Sequence, residues 1–266
     1  MSGGRELQTS MISRLLRRFT GGTPVPTVLH LTHAKAGSTW VTVVLRDLFP
    51  ENVAPRGTRI AEASGGNLDQ HVFEAGRVYP SMFMTREEVL AHPELNGCKR
   101  FVVIRDLRDT LAGLYFSLRM SARSDDDGAA RENQDSVLSE DEETGLLQTL
   151  DSRIARIAAI QTSWLNQGEI VLRYEDLIEN SFELLRDAFI RRLALPVTES
   201  DLSHTIRNAP EERGRRTGGI EWRNHFTPKV RERFAEKFGQ TLIDAGYEKD
   251  LAWVREPSST RSPAGL

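Results

Sequence analysis

Apolar positions fall into four short, dense runs separated by segments of helical period or by polar loops. The runs are Val28–Thr32, roughly 77–83, 100–104 and 169–173, each rich in apolar, β-branched or aromatic residues. Runs this short and continuous predict strands buried on both faces, as in a parallel sheet. Val41 to Leu48 and Thr110 to Leu118 carry helical patterns. Leu147, Leu150, Ile154, Ile157, Gln161 and Trp164 recur at helical spacing on one predicted buried face. The alternation predicts an α/β fold of three layers, a parallel β-sheet flanked by helices.

The remaining segments set the domain limits. One domain is predicted over 27–255, with an N-terminal extension at 1–26 and a disordered tail at 256–266. Met11 to Phe19, with Arg14, Arg17 and Arg18, reads as a short basic amphipathic helix, too weakly apolar for a signal peptide. An acidic insert spans about 121–143 and includes Asp125-Asp126-Asp127. A solvated loop is the simpler reading of its Asp run, and a lid over an acceptor site is the alternative. Ser139-x-x-Glu142 predicts a capping box that opens the next helix.

The chemistry begins where the first strand runs into Lys35-Ala36-Gly37-Ser38-Thr39-Trp40, with a helix behind it. A strand, a small-residue loop with one Lys and a helix N-terminus form an anion cradle. Backbone N–H groups converge, the helix dipole favours negative charge, and the Lys adds a point charge. The architecture is P-loop-like, but a Walker A loop places its Lys after the last Gly. Here Lys35 precedes Gly37, and no Gly lies in the eight residues before it. Such a loop suits one phosphate beside a transferable group better than the outer phosphates of a nucleoside triphosphate with Mg²⁺.

Composition narrows the setting. The chain has 266 residues and a formal net charge of −3, so there is no global basic footprint for nucleic acid. The single Cys98 makes no internal disulfide, which suits a reducing compartment and a cytoplasmic location. Nothing approaches the roughly eighteen consecutive apolar residues of a membrane span, and none is expected.

Two further basic features offer anion contacts. Arg105 closes the third strand, ahead of Asp106-Leu107-Arg108-Asp109, at the strand end where parallel sheets gather ligands. Its planar fork suits bidentate pairing with a phosphate, and an Arg–Asp pair that merely ties down the turn is the alternative. Arg213-Gly214-Arg215-Arg216-Thr217-Gly218-Gly219 is a basic, Gly-rich loop that reads either as a phosphate clamp or as a solvated surface loop.

Taken in order, Lys35-Ala36-Gly37-Ser38-Thr39-Trp40, Arg105-Asp106-Leu107-Arg108-Asp109, Leu172-Arg173-Tyr174-Glu175-Asp176-Leu177 and Arg215-Arg216…Trp222-Arg223-Asn224-His225-Phe226 resemble the PAPS-dependent sulfotransferase family. PAPS is 3′-phosphoadenosine 5′-phosphosulfate, and the resemblance covers roughly residues 27–250. It implies that Lys35 contacts the sulfate and the bridging oxygen, while Gly37, Ser38 and Thr39, next to Ala36, surround the 5′-phosphate. It further implies that Trp40 stacks on adenine, that Tyr174 meets the adenine edge, and that Arg105, Arg215 and Arg216 bind the 3′-phosphate. Sulfuryl transfer needs in-line positioning and charge stabilisation at the leaving oxygen. The sulfuryl group carries less charge than a phosphoryl group, so no metal is expected.

The chain departs from the family pattern at three places. Gly113 stands where a Ser usually contacts the 3′-phosphate, with Ser117 one turn on, and Thr217 replaces the Gly of the closing loop. Met82 occupies the position of the usual catalytic His. His71 is therefore the expected base, His33 its rival, and His225 is read as structural.

The expected activity is transfer of a sulfuryl group from PAPS to a hydroxyl, or to an amine, of a small-molecule or natural-product acceptor. One alternative is a catalytically weakened PAP- or PAPS-binding protein, and another is a P-loop kinase-like phosphotransferase. Acceptor identity and oligomeric state are not encoded in these motifs.

Overall fold

The computed structural model describes residues 24–54, 73–121, 141–210 and 221–255. Four parallel strands, β1 (Val28–Thr32), β2 (Val78–Met82), β3 (Lys99–Ile104) and β4 (Ile170–Arg173), form one sheet in the order β2-β1-β3-β4. All four predicted strands are present, within a residue or so of their expected limits. The helices are α1 (Ser38–Leu48), α2 (Arg86–Leu90), α3 (Leu107–Ser121), α4 (Glu142–Thr149), α5 (Ala155–Trp164), α6 (Tyr174–Leu185), α7 (Glu199–Asn208) and α8 (Pro228–Asp244).

Period-two alternation divides the sheet between two apolar layers. Val28, Phe101, Val103, Ile170 and Leu172 face one way and pack with Val41, Val44 and Leu45 of α1 and Leu177 and Leu185 of α6. Leu29, Leu31, Tyr79, Val102 and Ile104 face the other way, toward Ile160 and Trp164 of α5. This is the predicted three-layer α/β arrangement. A third cluster joins α3, α4 and α8 around Trp222 and Trp253.

The helical stretch before β4 differs from its sequence reading in two details. Its N-cap is Asp141, whose carboxylate accepts the Thr144 N–H at 2.9 Å, so the helix opens two residues after Ser139, which lies outside the described residues. A π-helical turn at Leu150–Ile154 separates α4 from α5 and rotates the face between them. Leu146 is consequently fully buried and Leu147 only partly so, while Leu150, Ile154, Ile157, Gln161 and Trp164 are buried as predicted.

The expected N-terminal helix at 11–19, the Asp run and the tail lie outside the described residues. Among the described residues, no helix is long and apolar enough to cross a membrane.

Trp164 anchors the α5 layer. It is fully buried, and its indole N–H donates to the Met84 oxygen at 2.9 Å. Trp164→Ala should cost about 3–5 kcal/mol of folding free energy, because it leaves a large cavity and an unpaired carbonyl. Urea denaturation measures that loss.

Candidate active site

Because the strands are parallel, the carboxyl ends of β1, β3 and β4 meet at one edge of the sheet. That edge brings together Lys35 after β1, Arg105 after β3 and Tyr174 after β4. The loop after β1 folds back through the Ala36 N–H, which donates to the His33 oxygen at 3.4 Å. Lys35 sits at the third position of this turn with φ 66, a left-handed conformation that costs a non-glycine residue on the order of 1 kcal/mol or more. Gly37 follows at φ 76 and caps α1 with no side-chain hydrogen bond, so the amides of the first turn face out of the helix.

Gly37 also admits a neighbour. A Cβ there would run into the Cδ2–Cε2 edge of the Tyr174 ring. The same ring carries the Arg105 guanidinium, with Cζ 4.7 Å from its centroid. Tyr174 therefore touches both predicted anion sites.

The contacts of Arg105 bear on both readings of its turn. It is 7% exposed, and its Nη1 donates to the Lys35 oxygen at 2.9 Å. Asp106 does not pair with it. The Asp106 carboxylate accepts instead from Arg108, through Nε at 3.0 Å, Nη2 at 2.6 Å and the backbone N–H at 2.8 Å. Arg108 is itself held between Trp222 and Trp253, with Cζ 4.2 and 4.6 Å from their centroids. Among the described residues, the Nε and Nη2 groups of Arg105 are buried with no hydrogen-bond partner. Buried guanidinium donors are expensive to leave unpaired, and two aimed from one fork match the oxygens of a tetrahedral anion.

The histidines separate clearly. His33 is fully buried, and burial holds its ring down to about 4, hence neutral. Its Nδ1–H donates to the Ala34 oxygen at 2.9 Å, and Nε2 accepts the Arg105 N–H at 3.3 Å while lying 3.0 Å from the Gln161 amide. With both nitrogens engaged, His33 braces the loop against β3 and is not available as the base for which it was the rival. His225 bonds Glu142 at 2.7 Å and packs edge-on against Phe116, which matches its structural reading. Met82 is buried in the second apolar layer, away from any proton-transfer role. His71, Arg215, Arg216 and Thr217 lie outside the described residues.

Trp40 and Gly113 occupy informative places. Trp40 is buried in the same apolar cluster as Tyr174. Gly113 lies under the aliphatic stem of Lys35, whose Cγ would stand 3.7 Å from an added Cβ. Ser38 and Thr39 form the first turn of α1.

Two residues that the sequence reading did not single out also shape this edge. Pro80 and Ser81 together oppose His30 in a bulge between β1 and β2, and Ser81 has φ 59. The Ser81 N–H donates to His30 Nδ1 at 3.1 Å, and its hydroxyl lies 2.8 Å from Thr42 Oγ1 and donates to the Ser38 oxygen at 3.3 Å. The bulge thus clamps the first turn of α1. The Pro in the middle of a predicted strand was the available signal.

Comparison with solved structures bears on this geometry. The chain matches mouse sulfotransferase SULT7A1 complexed with PAP at a TM-score of 0.59 and 14% identity, covering 85% of this chain and 89% of that one. The fold is that of a sulfotransferase domain. A sulfotransferase from Alicyclobacillus acidocaldarius also matches, at 14% identity and a TM-score of 0.42, covering 88% of this chain and 100% of that one. No protein-family model and no curated protein matches the sequence. In this sulfotransferase fold the Lys35 loop, Arg105 and Tyr174 converge at the carboxyl edge of the sheet, with Arg105 as the hinge between loop and helix.

Gly37→Ala tests the cradle directly. The added methyl meets Tyr174 and the φ of 76 becomes strained, so a loss of about 2 kcal/mol or more is expected. Thermal melts of Gly37→Ala against the wild type measure that loss.

Proposed function

We propose that this chain is a sulfotransferase that moves a sulfuryl group from PAPS to a hydroxyl, or to an amine, of a small-molecule acceptor. The observation that carries the reading is Arg105, a buried guanidinium with two unpartnered donors strapped to the Lys35 loop. PAPS offers two separated phosphate sites, and the residues at this edge match both in kind. The outward-facing amides of α1, with Ser38 and Thr39, suit the 5′-phosphate, and the Arg105 fork suits the 3′-phosphate. Trp40 and Tyr174 are the aromatic groups for the adenine, and Arg215 and Arg216 are further proposed contacts of the 3′-phosphate.

PAPS supplies the activated sulfuryl group. Lys35 is the residue that stabilises charge developing on the leaving phosphate oxygen. Its left-handed backbone, held by Arg105 through the Lys35 oxygen, presents that amine from a fixed position rather than from a mobile loop. His71 is the proposed base for the acceptor proton. A nucleotide-binding protein without turnover is the second reading, favoured by the buried Met82 at the usual His position and by Gly113.

Lys35→Gly separates folding from chemistry. Glycine relieves the positive φ, so the melting temperature should hold or rise, while turnover of PAPS over an acceptor panel falls by about 10²-fold or more. Undiminished turnover would overturn the role of Lys35. Tight PAP binding by the wild-type chain with no turnover would favour the second reading.

Arg105→Lys keeps the charge and removes the fork. PAP binding, measured by calorimetry, should weaken about tenfold or more, and binding of adenosine 5′-phosphosulfate much less. Equal weakening of both ligands would put Arg105 at the wrong phosphate.

A further inference from the structure

Arg105 leaves β3 in a direction set by groups from elsewhere in the chain. Peptide units are planar, so holding the two that flank a Cα fixes its φ and ψ and the direction of its side chain. The Arg105 N–H, in the peptide before its Cα, donates to His33 Nε2 at 3.3 Å. The Asp106 N–H, in the peptide after it, donates to Glu175 Oε1 at 3.1 Å. Glu175 stands in the first turn of α6.

Other helix starts in this chain solve the same problem locally. At α2 and α7 the carboxylate three residues after the N-cap reaches back to the cap N–H, Glu88 to Thr85 at 2.7 Å and Asp201 to Thr198 at 3.4 Å. At α3, Asp106 acts as the N-cap, since its carboxylate accepts the Arg108 N–H and its main-chain oxygen accepts the Thr110 N–H. The residue three positions on, Asp109, accepts the Trp222 N–H instead. The Asp106 N–H goes to Glu175, 69 residues away in sequence.

Glu175 is itself held in place. Its Oε2 accepts the Tyr247 O–H at 3.0 Å, and the Arg173 Cζ lies 4.9 Å from the centroid of the Tyr247 ring. Arg173 in turn donates to the Ala245 oxygen at 2.7 Å. One residue before Glu175, the Tyr174 ring carries the Arg105 guanidinium. The first two residues of α6 thus meet Arg105 at both ends, Tyr174 at the guanidinium and Glu175 at the peptide behind it.

We propose that Glu175 is a positioning residue for the Arg105 fork, acting through the Asp106 N–H to keep Nε and Nη2 directed at one phosphate monoester. The role deepens the nucleotide reading above and rests on it, with that monoester as the 3′-phosphate. Nη1 is occupied by the Lys35 oxygen, and among the described residues Nε and Nη2 have no partner. Their aim therefore depends on where the backbone sends the side chain, which is what Glu175 helps to hold.

A double-mutant cycle tests this role, with calorimetry of adenosine 3′,5′-bisphosphate and adenosine 5′-phosphosulfate binding to wild type, Glu175→Ala, Arg105→Lys and the two combined. Glu175→Ala should weaken the bisphosphate about tenfold and the phosphosulfate much less. In the Arg105→Lys background no fork remains to be aimed, so the same substitution should change bisphosphate affinity by less than about twofold. Glu175→Gln keeps an oxygen for the Asp106 N–H and offers its NH2 to the Tyr247 oxygen, so it should bind the bisphosphate within about threefold of wild type. Additive losses in the cycle, equal weakening of both ligands by Glu175→Ala, or a Gln variant as weak as Ala would overturn the positioning role and leave the nucleotide reading standing. Should Glu175→Ala fail to fold, Tyr247→Phe takes its place in the cycle. It removes one of the two anchors of Glu175, and the expected loss is about threefold, again absent in the Arg105→Lys background. A wild-type chain that does not bind the bisphosphate would overturn the nucleotide reading and this role with it.

Discussion

The hydrogen bond from the Arg105 guanidinium to the main-chain oxygen of Lys35 joins the two halves of the site. It connects the end of β3 to the loop after β1, elements seventy residues apart in sequence. It also keeps Lys35 in a backbone conformation that the residue would not choose alone. The buried ring of His33 supports the same joint from below, accepting the Arg105 N–H while its other nitrogen holds Ala34. Remove this joint and both the lysine and the fork lose their mutual position, whatever the sheet does.

That joint is possible because the surrounding acids are occupied elsewhere. Three carboxylates crowd the start of α3 and α6, and a buried arginine near them would ordinarily form an ion pair. Arg108 prevents it by taking Asp106 in a bidentate pair inside an aromatic slot between Trp222 and Trp253. Glu175 is engaged by the Asp106 N–H and by Tyr247. The cluster around Trp222 and Trp253, which looks like plain core, therefore sets the electrostatics of Arg105 at one remove.

How much of this was legible depends on the range of each interaction. The four strands and the anion loop could be read because apolar runs and a Lys-Ala-Gly-Ser-Thr order are local signals. The identity of the Arg105 partners was not, since Asp106 stands next to it in sequence and the competing Arg108 gains its hold from Trp222, Glu248 and Trp253 far along the chain. His33 was ambiguous for the same reason: its neutral state comes from burial in the folded chain, and its Nε2 contacts Gln161, 128 residues away. The helix start at Asp141 rather than Ser139 shows the smaller error, where two acceptable caps lie close together and Asp141 caps through Thr144.

The bulge at Pro80 and Ser81 bears on how copies of this protein can meet. β2 is an outer strand of the described sheet, and exposed outer strands invite pairing with another chain. Here its first residue is already bonded on the outer side, since the Val78 N–H donates to Asn52 and the Ala54 N–H to Val78. Further along, Pro80 offers no donor and the left-handed Ser81 turns the backbone inward. A neighbouring molecule finds no continuous ladder along β2, so self-association there has to go through side chains and helix surfaces rather than through a shared sheet.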